Sequence, residues 1–232
     1  GSDQQMSLMN SVVCPKPGEL ELRQISRPER GDHEVRVRIR RVGICGTDFH
    51  IYEGKHPFLA YPRIMGHELA GEVIKAPAGS AFLPGEHVII NPYLSCGTCV
   101  ACRAGKPNCC TDIAVLGVHC DGGMCEEICV PEVNLLSAQG LSLDACATVE
   151  FLAIGAHAVR RSGIGSEDRV LVAGAGPIGL GVAIFARLAG AEVSILDLDA
   201  ARLSQACTIA ARSQPLRPSS TPNAETPPHA PA

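Results

Sequence analysis

Cys96, Cys99, Cys102 and Cys110 follow one another with two, two and seven residues between them. Four thiolates can surround a tetrahedral zinc ion and leave no position open for chemistry. The short spacers let three ligands come from one tight loop, with Gly97 and Gly105 relieving its turns. Cys109 adjoins Cys110, so one of the pair must point elsewhere. Cys120, Cys125 and Cys129 lack such spacing and read as core residues.

A second group is scattered. Cys45, Thr47 and His50 lie in the stretch Gly43-Ile44-Cys45-Gly46-Thr47-Asp48-Phe49-His50. Gly66-His67-Glu68 comes next, and Glu150 lies far downstream. Together they offer thiolate, imidazole and carboxylate ligands for a zinc with one position left to substrate or water. Zinc in such a site is a Lewis acid that lowers the pKa of an oxygen bound to it.

A third signal is Gly174-Ala175-Gly176-Pro177-Ile178-Gly179, a glycine-rich turn between an apolar run and a helical pattern. That context marks a dinucleotide fingerprint. Gly174 allows the tight turn, Gly176 lets backbone approach the pyrophosphate, and Gly179 lets helix pack on strand. Pro177 and Ile178 complete the turn, and the amides at the start of the following helix would face the phosphates. Asp197 stands at the distance expected of an acid on the adenosine ribose, which selects NAD over NADP. Asp199 is a nearby competitor for that role.

The elements that position these residues follow from periodicity. Glu34 to Arg40 alternates charged and apolar residues, as a half-buried strand does. Residues 66–74 and 87–90 are further strands, separated by Gly and Pro turns. The Cys-, Gly- and Pro-rich stretch 91–112 is a loop, and Ser142 to Arg161 has helical spacing. Arg169–Ala173 reads as a strand buried on both faces. A helix over Leu180–Ala189 and a strand over Glu192–Leu196 complete a strand-helix-strand unit. After about Arg212 the chain turns rich in Pro, Ser, Thr and Ala, a composition that cannot bury enough surface to order itself.

Composition excludes some functions. The 232 residues carry a formal net charge of -4, no Trp, five Phe and three Tyr. A basic patch and stacking aromatics are both lacking, so nucleic acid is not the expected partner. Residues 170–186 form the most membrane-like stretch but are short for a span and interrupted by Pro177 and glycines. No signal peptide is recognisable, and twelve cysteines in such a chain point to metal in a cytoplasmic protein rather than to disulfides.

The motifs, in their order along the chain, resemble those of the zinc-containing medium-chain alcohol and polyol dehydrogenases, over residues 8–210. Gly117–Gly123 and Ala153–Arg161 are most similar to the group acting on sugar acids such as L-galactonate and L-gulonate, beside L-idonate and sorbitol dehydrogenases. The resemblance implies an α/β plus β architecture. A GroES-like zinc-binding catalytic domain would span 11–150, after an N-terminal extension at 1–10. An incomplete Rossmann domain would span 151–212, and a disordered tail 213–232. It implies a catalytic zinc on Cys45, His67 and Glu150, with Glu68 behind them or exchanging in. Thr47 and His50 would relay the proton, and Cys96, Cys99, Cys102 and Cys110 would hold a structural zinc. The implied reaction moves a hydride between a secondary alcohol of a polyol or sugar acid and NAD. The likeness stops near Arg212. The expectation is therefore that complete relatives form homo-oligomers, whereas this chain by itself has little or no activity. A non-catalytic zinc-binding fragment is the alternative.

Overall fold

The computed structural model describes residues 7–57, 59–210 and 217–218. The chain divides into two compact units, Gly1–Glu150 and Phe151–Ala232.

In chain order the first unit contains β1 (Leu8–Cys14), β2 (Glu21–Ser26), β3 (Glu34–Gly43), α1 (Gly46–Tyr52), β4 (Arg63–Ile64), β5 (Glu68–Lys75), β6 (His87–Ile90) and β7 (Tyr93–Leu94). It continues with α2 (Val100–Arg103), β8 (Ala114–Val115), β9 (Glu127–Pro131), β10 (Leu135–Ser137) and α3 (Leu143–Ala147), and ends at the start of α4 (Val149–Ser162). Its main sheet is antiparallel, in the order β10-β6-β5-β3-β9. A smaller sheet runs β2-β1-β4, and β7 pairs with β8. The alternation in β3 works as its sequence requires. Val35 and Val37 are fully buried, while Arg36 and Arg38 face outward and pair with Glu127. Apolar residues from β3, β5, β6, β9 and β10 make one core, including Leu69, Val73, Val88, Ile90 and Val130. β5 is its spine: Glu68 to Gly71 are all buried.

The second unit holds β11 (Arg169–Ala173), α5 (Pro177–Leu188), β12 (Glu192–Leu196), α6 (Ala200–Ala210) and β13 (Arg217–Pro218). β11 and β12 pair in parallel from Arg169–Glu192 to Ala173–Leu196. α5 links them and ends at Gly190, whose φ of 94° is the left-handed conformation that stops a helix. Val172, Val193 and Ile195 pack with Ala183, Ala186 and Ala206 of the helices and Val159 of α4.

Several elements differ from the sequence reading. β1 starts at Leu8, so residues 8–10 belong to a sheet rather than to an extension. The stretch after Cys45 is a helix that carries Thr47 and His50. The helix expected from Ser142 to Arg161 is two helices that meet at Thr148, with Ser142 capping the first through Ala145 N–H at 3.1 Å. α5 begins at Pro177, not Leu180, because proline is pre-set for a first helical position. β11 is not buried on both faces. Leu171 stays 63% exposed, because the helical core residues all gather against Val170 and Val172 on the opposite side. Within the expected tail, Arg217–Pro218 add a parallel strand beside β12. The rest of that tail, like residues 1–6, lies outside the described residues.

Candidate metal centres and nucleotide turn

The four-cysteine lobe is built between β7 and β8. The sulfurs of Cys96, Cys99, Cys102 and Cys110 all lie within 4.8 Å of one another. Local backbone makes this possible. Cys99 caps α2, its sulfur accepting from Cys102 N–H at 3.5 Å. The Cys96 sulfur accepts from Cys99 N–H at 3.3 Å. The Cys110 sulfur accepts from Cys96 N–H at 3.3 Å and Asp112 N–H at 3.4 Å. Amides that point at sulfur favour thiolate over thiol. The Cys102 amide brings Cys99 down to about 5. Desolvation and then the neighbouring thiols push Cys102 up to about 12. Four sulfurs this close cannot all ionise without a cation among them, and the donor set fits zinc. Cys109 is exposed and points away, whereas Cys110 is buried.

At the second centre, β3, α1 and β5 converge. Ligand atoms of Cys45, His67 and Glu68 lie within 4.8 Å of one another. Cys45 ends the approach from β3 and precedes α1. Its N–H donates to Asp48 Oδ2 at 2.8 Å, which fixes the first turn of the helix. Asp48 is itself buried, and its Oδ1 lies 3.8 Å from His67 Nδ1, neither atom having a hydrogen-bond partner. A carboxylate behind a histidine is the usual support of a metal-ligating imidazole. His67 and Glu68 are nearly enclosed. A Cβ on Gly43 would lie 2.2 Å from Glu68 Oε2, so only glycine leaves room for that carboxylate. Gly66, at φ +98°, turns the chain into His67, and the glycines of the 117–123 segment close on it. A Cβ on Gly122 would lie 2.3 Å from Gly66 O.

The electrostatics of this pocket call for a cation. The His67 imidazole lowers the Cys45 thiol. Burial works to lower His67, but the Cys45 sulfur and the Asp48, Cys45 and Glu150 charges outweigh it and raise the imidazole. Burial, and then the nearby Glu150 charge, raises Glu68. One thiol, one imidazole and several carboxylates drawn together in a buried place suit a divalent metal.

The two carboxylates of this neighbourhood are held differently. Glu68, immediately after His67, enters the ligand cluster beneath Gly43. Glu150, the ligand expected from the resemblance, lies outside that cluster, and its Oε1 accepts from the Tyr93 hydroxyl at 2.6 Å. Thr47 is half-buried in the first turn of α1, its Oγ1 3.8 Å from Cys45 Sγ. His50 is exposed in the last turn. Asp48 and Tyr93 are the residues that sequence reasoning missed. The three-residue step from Cys45 to Asp48, a capping-box spacing, was a usable signal for the first. Nothing in the sequence linked Tyr93 to Glu150.

In the second unit the glycine-rich turn has the geometry of a phosphate cradle. Gly174 N–H donates to Leu196 O at 2.7 Å, which ties the turn to β12. Gly176 caps α5, with Pro177 and Ile178 in its first turn. A Cβ on Gly179 would lie 1.8 Å from Gly174 O, so helix and turn can approach only through glycine. Asp197 Oδ2 accepts from Ala175 N–H at 2.7 Å and Oδ1 from Asp199 N–H at 2.9 Å. These amides, Asp199 first, hold its carboxyl below the usual range. Asp199 does something else: its Oδ1 accepts from Ala201 and Arg202 N–H, and so caps α6.

A β-rich unit with a Cys-His-Glu cluster and a four-cysteine lobe, in one chain with a glycine-rich turn at the start of a helix, is similar in architecture to the zinc-type medium-chain dehydrogenases. Residues 31–140 match the family model of the alcohol dehydrogenase GroES-like domain. The chain is 46% identical over 204 residues to L-galactonate-5-dehydrogenase of Escherichia coli K12, covering 88% of this chain and 60% of that relative. An alcohol dehydrogenase of Escherichia coli CFT073, solved with NADH, superposes with a TM-score of 0.82 at 36% identity, over 95% of this chain and 64% of that one. Galactitol-1-phosphate dehydrogenase of Escherichia coli superposes with a TM-score of 0.80 at 30% identity, over 87% and 59%. The chain thus spans about 60% of the length of the curated relatives it matches. Among the described residues, no helix is long and apolar enough to cross a membrane.

Proposed function

We propose that this chain carries the metal-binding lobe and the first nucleotide-binding half of an NAD-dependent dehydrogenase that oxidises a secondary hydroxyl of a polyol or sugar acid. The observation that carries this reading is the convergence of half-buried Cys45 with buried His67 and Glu68, backed by Asp48. The likeness to L-galactonate-5-dehydrogenase and galactitol-1-phosphate dehydrogenase supports the substrate class.

Cys45, His67 and a carboxylate would hold a catalytic zinc, with Cys96, Cys99, Cys102 and Cys110 holding a structural one. The catalytic ion, when bound, supplies a Lewis acid that makes a substrate hydroxyl easier to ionise near neutral pH. The rest falls to the protein. Thr47, anchored beside Cys45 by the start of α1, accepts the hydroxyl proton's hydrogen bond. His50, exposed at the other end of the same helix, passes that proton to solvent. Asp48 keeps the His67 ring oriented through its Nδ1 side. Gly176, Ile178 and Gly179 present backbone N–H groups and Gly174 open backbone to the pyrophosphate, while Pro177, which has no N–H, sets the first turn of α5. Asp197, fixed by two amides, presents an acid that favours NAD over a 2'-phosphorylated cofactor.

The test is to join residues 8–210 of this chain to the remaining C-terminal segment of a full-length relative, to supply the complete enzyme with NAD and a panel of polyols and aldonic acids, and to follow cofactor reduction. Reduction with these substrates, lost in His67→Ala, is expected. No reduction, or reduction confined to short primary alcohols, would contradict the reading.

A further inference from the structure

We infer that Tyr93 is a positioning residue that decides which carboxylate, Glu68 or Glu150, completes the Cys45–His67 metal site. The inference rests on the catalytic-metal reading above. It is carried by an asymmetry between two carboxylates that share one neighbourhood. The Glu68 carboxylate is inside the cluster of ligand atoms within 4.8 Å of one another, and the Glu150 carboxylate is not. Glu150 is engaged instead by the Tyr93 hydroxyl at 2.6 Å, a short charge-assisted bond.

Tyr93 is held firmly enough to act in this way. Its N–H donates to Asn91 Oδ1 at 3.1 Å, and its carbonyl accepts from Asn134 Nδ2 at 3.0 Å. Asn134 is buried and also donates to the Asn91 carbonyl at 2.9 Å. β7 is further paired with β8, Tyr93 opposite Val115. The phenol therefore projects from a backbone pinned on both edges. A zinc held by one thiolate and one imidazole, with a place kept for substrate, has room for one carboxylate. Two ionised carboxylates competing for that room repel, and a hydrogen bond that stabilises one of them in an outer place lets the other in. Removing the hydroxyl frees Glu150 to move towards the metal and makes Glu68 dispensable as a ligand.

The experiment is a cycle of Tyr93→Phe and Glu68→Gln, with Glu150→Gln as a control, on protein loaded with Zn2+ or with Co2+. Zinc affinity of the second site is read by chelator competition. Its cobalt spectrum is read as the difference from Cys45→Ser, which removes the four-cysteine contribution. With Tyr93 in place, Glu68→Gln should weaken zinc by roughly tenfold or more, and Glu150→Gln by clearly less, at the low end of what supporting groups contribute. Combined with Tyr93→Phe, the loss from Glu68→Gln should shrink to a few-fold at most, and Tyr93→Phe alone should alter the cobalt spectrum. A merely structural tyrosine would change melting temperature without coupling to Glu68. An equal Glu68→Gln penalty with and without the hydroxyl, together with an unchanged cobalt spectrum, overturns the Tyr93 assignment alone. If Cys45→Ser binds as many ions as the unsubstituted protein, the catalytic-metal reading falls, and the assignment falls with it.

Discussion

The two metal centres of the first unit are built by opposite strategies. The four-cysteine lobe draws all its ligands from one short loop, Cys96 to Cys110, and orients them with its own backbone amides. The second centre draws Cys45 from the end of β3, His67 and Glu68 from the start of β5, and keeps Glu150 in reserve on α4. The first is local, so a metal held there is expected to stand or fall with its fold. The second exists only because a sheet already brings distant segments together, so a metal held there is expected to leave without dissolving the framework. A site meant to bind a structural ion gains from locality, whereas a site meant to accept a substrate gains from a scaffold that does not depend on it.

That contrast can be broken at several points. The largest effect is expected from Cys99→Ser, which removes both a ligand and the cap of α2. Structural zinc supplies folding free energy of up to ~10–16 kcal/mol in small zinc domains. The variant should lose that ion and unfold the lobe, seen as zinc content and as loss of amide protection over residues 91–112. Intact protection in a metal-free variant would refute the dependence. His67→Ala should remove the second ion and leave the four-cysteine ion and the melting profile of the first unit largely in place. Loss of both ions together would erase the distinction.

Gly43→Ala tests how tightly the scaffold sets the second site. The new methyl meets Glu68 Cβ at 2.8 Å as well as its carboxylate, and overpacking of this kind costs about 1–3 kcal/mol. A lower melting temperature and weaker second-site zinc should appear together; an unaffected site would mean that Glu68 moves freely. In the second unit, Asp197→Ala removes the acceptor that straps the glycine-rich turn, a bond worth about 1 kcal/mol. It should weaken NAD and, because the charge leaves with the acceptor, also narrow the preference for NAD over NADP, as calorimetric titration would show. Asp197→Asn keeps an acceptor for the Ala175 amide while removing the charge, and should mainly narrow the preference for NAD. Equal behaviour of the two variants would mean that strap and charge are not separable. The smallest effect belongs to Leu171→Ser. On a face that leaves Leu171 63% exposed, the change should stay within about 0.5 kcal/mol by denaturant unfolding, whereas a fully buried position would lose far more.

The same contrast explains what could be read from sequence. The grouping of Cys96, Cys99, Cys102 and Cys110 was legible because it is a matter of spacing, whereas the strand β7 and the helix α2 inside the stretch read as a loop were not. The alternation of β3 and the strand at His87–Ile90 were legible because periodicity reports burial. Membership of Cys45 and His67 in one site was legible only through resemblance, since no local pattern joins β3 to β5. The order of the two carboxylates was not legible. It depends on a hydroxyl from β7 and on the missing side chain of Gly43, both settled by tertiary packing. The burial of β11 failed for a related reason: an apolar run states that a strand can be buried on both faces, and only the layers around it decide whether it is. Asp197 and Asp199 were interchangeable by spacing and became distinct once one bonded the turn and the other capped α6.

The most direct test of two unlike centres is the stoichiometry and release of zinc from protein of verified mass. The account predicts two ions per chain, leaving a chelator in two separate phases. The fast phase should be absent in Cys45→Ser, and the slow phase should coincide with unfolding of the four-cysteine lobe. One ion per chain, or two ions leaving in a single phase, would contradict it.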